Sequence, residues 1–386
     1  MSSMILDNPE RIRQIDPTGM LKWAAEFADH WRVTYRRAKS VPLATLREVD
    51  NIVLCGMGGS AIAGDLLCNY LSNNLRVPFE VSRNYRLPAY ASPRTLVIIS
   101  SYSGTTEETI YAYREALARN CRIFTLSNGR PSDTIRKMAL ESRHGHFDLP
   151  QGYSPRAALG FSLAPLIVFF DRWGFAPPQD VAVAHTIAVL QQCVAEYGPQ
   201  CPASGNLAKQ IAMDLAGKFP VIYAAVDHLG PVALRWQNQI NENAKMLAHI
   251  NILPEMNHNE ILGWPVTPES VGEKIFSRAP LYPDGKPVKP QEALLPLLYV
   301  LYLRDKDDHP RTAHRLDTMK KVIGTYGVPI REVYSRGEGL LARMMSLVSL
   351  GDFISIYLAI LMGINPTPIP GIDYLKEHLA AIQAIP

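Results

Sequence analysis

The alternation of short apolar runs with helical patterns constrains this chain more than any other feature of its sequence. Four apolar runs occur in the first half, at residues 51–54, 79–81, 95–99 and 122–125. Helical patterns start at Ser60 and Thr106, between successive runs. Short strands that are apolar throughout and joined by helices are typical of a parallel, doubly wound sheet.

The second half of the chain repeats this alternation. Apolar runs lie at 220–224, 294–303 and 328–333, and helical patterns lie around 231–248, at 309–326 and from Gly337. We therefore expect an α/β protein with a parallel sheet in each half. No heptad series or short repeat occurs, so the likeness between the halves concerns architecture alone.

The length of the chain predicts more than one domain, because 386 residues exceed what one hydrophobic core usually supports. Residues 1–47 are polar and helical and predict an arm that packs on the rest. The apolar face of this arm contains Leu21, Trp23, Phe27 and Trp31. A segment rich in Pro, Gly, Gln and Cys at 198–205 is the best candidate for a linker, so we place one domain at 48–200 and a second at 201–386.

Composition and charge exclude several classes of function. A net charge of +3 and a pI near 8.5 are too mild for a nucleic-acid or membrane-surface protein and suit a small anionic ligand. The apolar stretch 353–362 is shorter than the roughly 20 residues of a membrane span. Five cysteines without a Cys-x-x-Cys pair and an N-terminus without a basic and then apolar run predict a protein of the cytoplasm.

A glycine-rich loop follows the strand expected at 51–54. It contains Gly56, Gly58 and Gly59, and Ser60 opens the next helix. The spacing of these glycines differs from the G-x-G-x-x-G dinucleotide fingerprint, and no P-loop motif occurs anywhere in the chain. The start of a helix nevertheless offers unpaired N–H groups and a positive dipole end, which attract anions.

A second loop, rich in hydroxyl groups, follows the strand expected at 95–99. Its hydroxyls belong to Ser101, Ser103, Thr105 and Thr106. The alternative is a capping box between Thr105 and Glu108 with ordinary turn residues around it, although capping needs one hydroxyl and not four. Both loops fall at carboxyl ends of neighbouring strands, where open α/β sheets bind ligands. We therefore predict that Gly59, Ser60, Ser101, Ser103 and Thr106 bind a phosphate group.

Together the two loops resemble those of the sugar isomerase (SIS) fold, and four further segments resemble the bifunctional phosphoglucose/phosphomannose isomerases. These segments are 152–160, 235–245, 256–260 and 365–376. The resemblance extends over most of the chain. It implies two flavodoxin-like SIS subdomains in a homodimer that acts on glucose 6-phosphate, fructose 6-phosphate and mannose 6-phosphate without a cofactor or a metal.

The resemblance also implies roles for four side chains. Aldose–ketose isomerisation needs a base that moves a proton between C2 and C1, and a cation beside the enediolate. Glu242 is implied as the base, and its apolar neighbours could hold it partly out of water. Arg156 is implied to stabilise the enediolate and Lys376 to assist ring opening. His258 is implied to move a proton between the ring oxygen and O1, in the site of the adjacent subunit.

Several alternatives stay open from the sequence alone. Glu260 is the nearest rival carboxylate, and a zinc site could be built from His249, His258, Glu260 or His314, although their spacing matches no metal motif. Thr367 and Ile369 compete for the position that the family ties to mannose phosphate. A non-catalytic sugar-phosphate sensor and an isomerase of another phosphosugar are the rival functions.

Overall fold

Two parallel β-sheets, one in each half of the chain, organise the computed structural model, which describes residues 2–46, 48–264 and 294–380. The first sheet has five strands: β1 (Asn51–Cys55), β2 (Phe79–Ser82), β3 (Thr95–Ser100), β4 (Arg122–Ser127) and β5 (Gly145–Asp148). All its neighbours are parallel, in the order β2-β1-β3-β4-β5. This is the flavodoxin-like order, and it confirms the predicted fold class.

Helices cover both faces of the first sheet. They are α5 (Gly58–Leu71), α6 (Glu107–Ala118), α7 (Thr134–Glu141) and α8 (Leu159–Arg172), and α9 (Asp180–Tyr197) follows them. The middle strand β3 is buried along its whole length, which explains its continuous apolar sequence. Because α5 begins at Gly58, two residues before the predicted start, Ser60 lies in its first turn.

The N-terminal arm is helical, as predicted. It contains α1 (Ser2–Leu6), α2 (Pro9–Ile15), α3 (Met20–Ala25) and α4 (Phe27–Ser40). Leu21, Phe27 and Trp31 of its predicted apolar face are buried in the main core, and the partly buried Trp23 packs against that core. The arm is therefore part of the folded body.

The second sheet has four parallel strands in the order β7-β6-β8-β9. They are β6 (Phe219–Ala225), β7 (His249–Leu253), β8 (Leu298–Arg304) and β9 (Ile330–Tyr334). The helices of this half are α10 (Leu207–Leu215), α11 (Gly230–Gln239), α12 (Pro310–Gly324), α13 (Leu340–Leu361) and α14 (Pro370–Ala380). The expected second parallel sheet is thus present, and part of the predicted run 294–303 forms β8.

The helix predicted around 231–248 was wrong in its second part. The α-helix ends at Gln239 and continues as a π-helical turn, Ile240–Ala244, which stops at Lys245 in a left-handed conformation with φ of 56°. Residues 249–253 then form β7, whose side chains alternate between the two faces of the sheet. The change matters because it places Glu242 in a wide turn.

The helix α13 is the central helix of the core. It contains nearly all of the predicted apolar stretch 353–362 and has a mean hydropathy of 1.9 over one window, so by length and composition alone it could cross a membrane. Yet 94% of that window is buried inside the protein. Its apolar side chains join one core cluster with residues of both sheets, such as Leu54 and Leu301, so α13 is a core helix. The domain boundary near residue 200 stays a prediction.

Candidate active site

The two predicted phosphate-binding loops meet at the carboxyl ends of β1 and β3. The order β2-β1-β3 makes this the point where the order of the strands in the sheet reverses, which is where such sheets bind ligands. The backbone N–H of Tyr102 donates to the Ser60 hydroxyl at 3.1 Å, so the loops are joined directly. Ser60 is buried with 5% exposure, and it reaches the second loop from the first turn of α5.

Three hydroxyls of the second loop form a cluster. The Oγ of Ser101 lies 2.8 Å from Thr106 Oγ1 and 3.5 Å from Ser103 Oγ, and Ser103 Oγ lies 3.3 Å from Thr106 Oγ1. Thr106 is the N-cap residue of α6, but its side chain makes no capping hydrogen bond. The Thr105 hydroxyl donates to Ser103, so the alternative capping box does not form. The clustered hydroxyls and the helix start suit an anion.

Gly59 connects the phosphate loops to Arg156. A Cβ atom at Gly59 would lie 2.7 Å from the carbonyl oxygen of Pro155 and 3.3 Å from the Cα of Arg156. Only glycine therefore lets the start of α5 pack against the short 3₁₀ turn Pro155–Ala157. As a result, Arg156 starts beside the phosphate loops.

Arg156 spans the two halves of the chain and contacts Glu242. Its Nη1 lies 3.4 Å from Glu242 Oε2, and its Nε donates to Asn243 Oδ1 at 2.7 Å. Its Nη2 donates to the carbonyl oxygens of Pro366 and Thr367 at 2.6 and 3.0 Å. The side chain is 2% exposed, so this is a buried cation and not a surface ion pair.

The guanidinium of Arg156 is fixed in place but not saturated. Four of its five N–H groups have acceptors among the described residues, and one N–H on Nη1 is left for a further acceptor. Burial lowers the pKa of Arg156, and the Glu242 carboxylate opposes that change. An arginine so placed stays charged. It can hold a developing oxyanion beside Glu242.

Lys245 joins the same group of contacts, although no role was predicted for it from the sequence. Its ammonium donates to the carbonyl oxygens of Glu242 at 2.7 Å and of Pro366 at 2.9 Å. Pro366 therefore accepts from both Lys245 and Arg156. The pKa of Lys245 is lowered to about 8, mainly because protein surrounds part of the group, and secondarily by the charge of Arg156.

A second layer of polar groups supports this centre from α11 and α13. Asp352 on α13 accepts two hydrogen bonds from Arg235, at 3.0 and 2.7 Å, and one from Gln239 at 2.8 Å. Arg235 also donates to the backbone carbonyl of Arg156 at 3.0 Å. Asn243 accepts a hydrogen bond from Arg156 Nε and donates one to Ser355 Oγ at 2.9 Å. The turn with Glu242 is thereby tied to the core helix.

The sequence could have indicated these supporting residues only in part. Asn243, Lys245 and Pro366 lie inside the segments that carry the family resemblance, but no residue type there marks a supporting role. Asp352 had a visible signal, because it is the one acid in the mostly apolar helix α13. A buried acid requires a partner, which here is Arg235.

In the part of the chain that the structure describes, no contact brings His258 or Lys376 into this centre. His258 is exposed at the end of a 3₁₀ turn, Glu255–His258. Lys376 lies on α14, where residues 371–379 are all exposed. Glu242, Arg156 and the residues predicted to bind phosphate therefore come together within one chain, whereas no hydrogen bond or ion pair among the described residues joins His258 or Lys376 to them.

The zinc alternative finds no support in the described residues. Within residues 2–46, 48–264 and 294–380, no group of three or more His, Cys, Asp or Glu side chains is arranged to hold a metal ion. His249 and Glu260, two of the candidate ligands, bind each other with Nε2 and Oε2 2.8 Å apart. Glu260 is thus engaged with strands of the second sheet, and no hydrogen bond or ion pair joins it to Arg156 among the described residues.

An open groove of about 540 Å³ lies elsewhere on the protein. It separates α5 from α11 and β7, and Asp65, Cys68 and Ile252 are among its lining residues. It contains none of the predicted site residues. The polar contacts around Arg156, and not the size of a cavity, therefore locate the candidate active site.

Comparison with known proteins defines the class. The SIS domain family matches residues 45–144, and the bacterial phospho-glucose isomerase C-terminal SIS domain matches residues 204–379. A hypothetical protein from Thermus thermophilus superposes with a TM-score of 0.69 over 97% of this chain and 94% of its own, at 14% identity, which supports the fold alone. The family match and the fold thus define an SIS protein.

Curated relatives narrow this class to one family. The bifunctional phosphoglucose/phosphomannose isomerase of Caldicellulosiruptor bescii is 38% identical over 336 residues, which cover 87% of this chain and 91% of that protein. The enzyme of the same name from Aquifex aeolicus is 31% identical and covers 86% of this chain and 92% of its own. The chain belongs to the family of bifunctional phosphoglucose/phosphomannose isomerases, so the predicted resemblance is confirmed.

Proposed function

We propose that this protein interconverts glucose 6-phosphate and fructose 6-phosphate, and also mannose 6-phosphate, through a cis-enediol intermediate without a metal. The named relatives support the substrate class. The observation that carries the mechanism is the contact of Arg156 with Glu242, beside the loops suited to phosphate. The close approach of Gly59 to the backbone of Pro155 and Arg156 supports an anion site next to this carboxylate and cation.

Each step of the proposed mechanism uses one part of this geometry. The hydroxyls of Ser60, Ser101, Ser103 and Thr106 and the helix starts bind the phosphate. Glu242 takes the C2 proton of the open-chain aldose, and the C1 carbonyl oxygen becomes the enediolate oxygen. The free N–H of Arg156 stabilises that charge. Glu242 then returns the proton to C1 while the proton of the O2 hydroxyl passes to O1, which gives the ketose. The reverse path returns the carbon-bound proton to C2.

His258 is proposed to act in the site of a neighbouring copy in a homodimer. Its loop is fixed through Met256 and Glu260, which pack on the face of the second sheet that carries Tyr223. The helix α11, which leads into the Glu242 turn, packs on the other face, against Ile252. Because the sheet lies between them, His258 is badly placed for Glu242 of its own chain. An exposed His258 is available to a partner.

Thr367 is the better candidate for the position tied to mannose phosphate. Its carbonyl oxygen accepts from Arg156, and its enclosed hydroxyl has no hydrogen-bond partner among the described residues. The carbonyl oxygen of Ile369 instead accepts from residues 372 and 373 at the start of α14. A polar group without a partner beside the active site is suited to a substrate hydroxyl.

The reaction is tested directly by incubating the protein with fructose 6-phosphate in deuterated water. We expect NMR to show both glucose 6-phosphate and mannose 6-phosphate, with deuterium at C2 of each. Activity in excess EDTA should stay within about twofold of the untreated enzyme, because no step uses a metal. Binding of fructose 6-phosphate without either aldose would indicate a sensor and would overturn the proposal.

The shared site is tested by mixing two inactive variants. In a heterodimer of Glu242→Gln and His258→Ala, one site combines both substitutions and the other has neither. Random assortment in a symmetric dimer should therefore restore about a quarter of the wild-type activity when the two are co-expressed. If His258 acted within its own chain, every site would carry one substitution and no activity would return.

A further inference from the structure

The side chain of Glu260 receives three hydrogen bonds from the second sheet. Tyr223 on β6 donates its hydroxyl to Oε1, while His249 and Asn251 on β7 contact Oε2. Trp264 in turn donates to the Tyr223 hydroxyl at 2.8 Å. These partners come from two strands and from a turn beyond Glu260, so the carboxylate fixes its own segment against the sheet.

The charge on Glu260 is stabilised by these donors. Burial alone would raise the pKa of Glu260, but hydrogen bonds from His249, Tyr223 and Asn251 outweigh burial and lower it. The hydrogen bond with Glu260 is also the main cause that raises the pKa of His249. The side chain of Glu260 is 23% exposed, so the carboxylate is shielded enough for these contacts to hold it.

His258 lies between two anchored residues. Met256, two residues before it, is fully buried in the cluster that contains Tyr223 and Trp264. Glu260, two residues after it, is held as described. The imidazole between them is exposed. Because the imidazole makes no hydrogen bond within the described parts of the chain, its position is set by the two ends of a short loop.

We propose that Glu260 is a positioning residue, which fixes the loop so that His258 is presented to the active site of a neighbouring copy. This inference rests on the proposed function. It assigns to Glu260 neither the base nor the metal-ligand role that the sequence left open. Glu260 acts through His258, because displacement of a reacting group by about 1 Å can cost on the order of 100-fold in rate.

Steady-state kinetics give the first part of the test. Glu260→Ala should lower kcat by roughly tenfold to 100-fold with little change in KM, and Glu260→Gln should have a smaller effect, because one oxygen still accepts. Glu255→Gln is the matched control, since this exposed carboxylate in the same loop contacts only Asn259 among the described residues. It should stay within about twofold of wild type. Unchanged kcat in both Glu260 variants would overturn the inference.

Pairing of variants gives the second part. Glu260→Ala co-expressed with Glu242→Gln should regain activity, because one site of the heterodimer then has an intact base and an intact histidine loop. Glu260→Ala co-expressed with His258→Ala should regain none, because each site then has a defective loop. The opposite pattern would show that Glu260 serves Glu242 of its own chain, and the inference would be wrong.

Co-expression of Glu242→Gln with His258→Ala distinguishes failure of the shared active site from failure of the role proposed for Glu260. If that pair regains no activity, the shared site is wrong. The double variant Glu260→Ala/His258→Ala in one chain then still decides the role of Glu260. No loss beyond that of His258→Ala supports positioning, and an additive loss overturns it. If Glu260→Ala does not fold, the same pairings are made with Glu260→Gln.

Discussion

Arg156 differs from His258 and Lys376 in burial and in the number of its contacts. Arg156 is buried and binds atoms from separate segments of the chain, whereas His258 and Lys376 stand exposed on a turn and on a terminal helix. One chain therefore brings together Arg156 and Glu242, which are proposed as the cation and the base, beside the loops proposed to bind phosphate. His258 and Lys376, which the family resemblance links to ring opening, make no hydrogen bond to that group among the described residues. The following predictions test this division.

Loss of the base is expected to have the largest effect. Glu242→Gln keeps the shape of the side chain but cannot take a proton, so kcat should fall by about 1,000-fold or more. Binding of glucose 6-phosphate, measured by calorimetry, should persist because the phosphate loops are untouched. Near-normal turnover of this variant would show that another residue is the base. The contacts of Arg156 with Glu242 would then not mark the active site.

Replacement of Arg156 by lysine should be the next most severe. Lysine keeps the charge but lacks the planar fork that reaches Asn243, Glu242 and Pro366 together. We expect kcat to fall by roughly 100-fold and the melting temperature to fall as well. The matched control is Arg83→Lys, which alters a surface pair with Asp65. If both variants behave alike, the geometry of Arg156 has no catalytic importance.

Lys376→Met tests the exposed side of the comparison. Because sugar rings also open slowly in water, we expect a loss of only about tenfold in kcat. The melting temperature should not change, since the residue is exposed and no described contact is lost. Lys321→Met, on the exposed face of α12, serves as the control for charge removal. A drop in stability without a drop in kcat would contradict an active-site role.

The ion pair between His249 and Glu260 should make a small contribution to the free energy of unfolding, and this contribution should depend on pH. The raised pKa of His249 means that its contribution to stability is complete below pH 6.5 and is lost as pH rises through the folded value. The lowered pKa of Glu260 means that its contribution is present above pH 4.5 and is lost as pH falls through the folded value.

The difference in unfolding free energy between wild type and Glu260→Gln should therefore be largest between these two pH values. Because His249 is 44% exposed, that difference should be at most about 1 kcal/mol. Urea unfolding at about pH 5.5 and about pH 8.5, on either side of the ordinary histidine pKa, measures it. A difference that grows toward the higher pH would show that the pair is not ionic.

The sequence was a good guide where local residue types decide the structure. The apolar runs at β1 and β3 and the glycine and hydroxyl loops after them depend on local chemistry, and the structure brings these loops together as expected. The helix expected to reach residue 248 failed, because the π-helical turn of Ile240–Ala244 has no local sequence signal. Tertiary contacts of Asn243 and Arg156 hold that turn in place.

The placement of His258 and Lys376 could not be predicted for a different reason. Their roles come from resemblance, and the surfaces they serve are not determined by contacts within the described chain. Lys245 is the opposite case, because contacts within the chain determine its position but the sequence did not indicate it. It contacts the Glu242 turn and Pro366 directly, but a lysine after a helix looks like an ordinary surface residue in sequence.

The reach of Arg156 from one half of the chain to the other makes catalysis a sensitive reporter of how the halves are docked. A slight separation of the two sheets would break its contacts with Glu242 and Pro366 while each sheet kept its own hydrogen bonds. Under mild denaturation, turnover should therefore disappear at lower urea concentrations than the circular dichroism of the strands and helices.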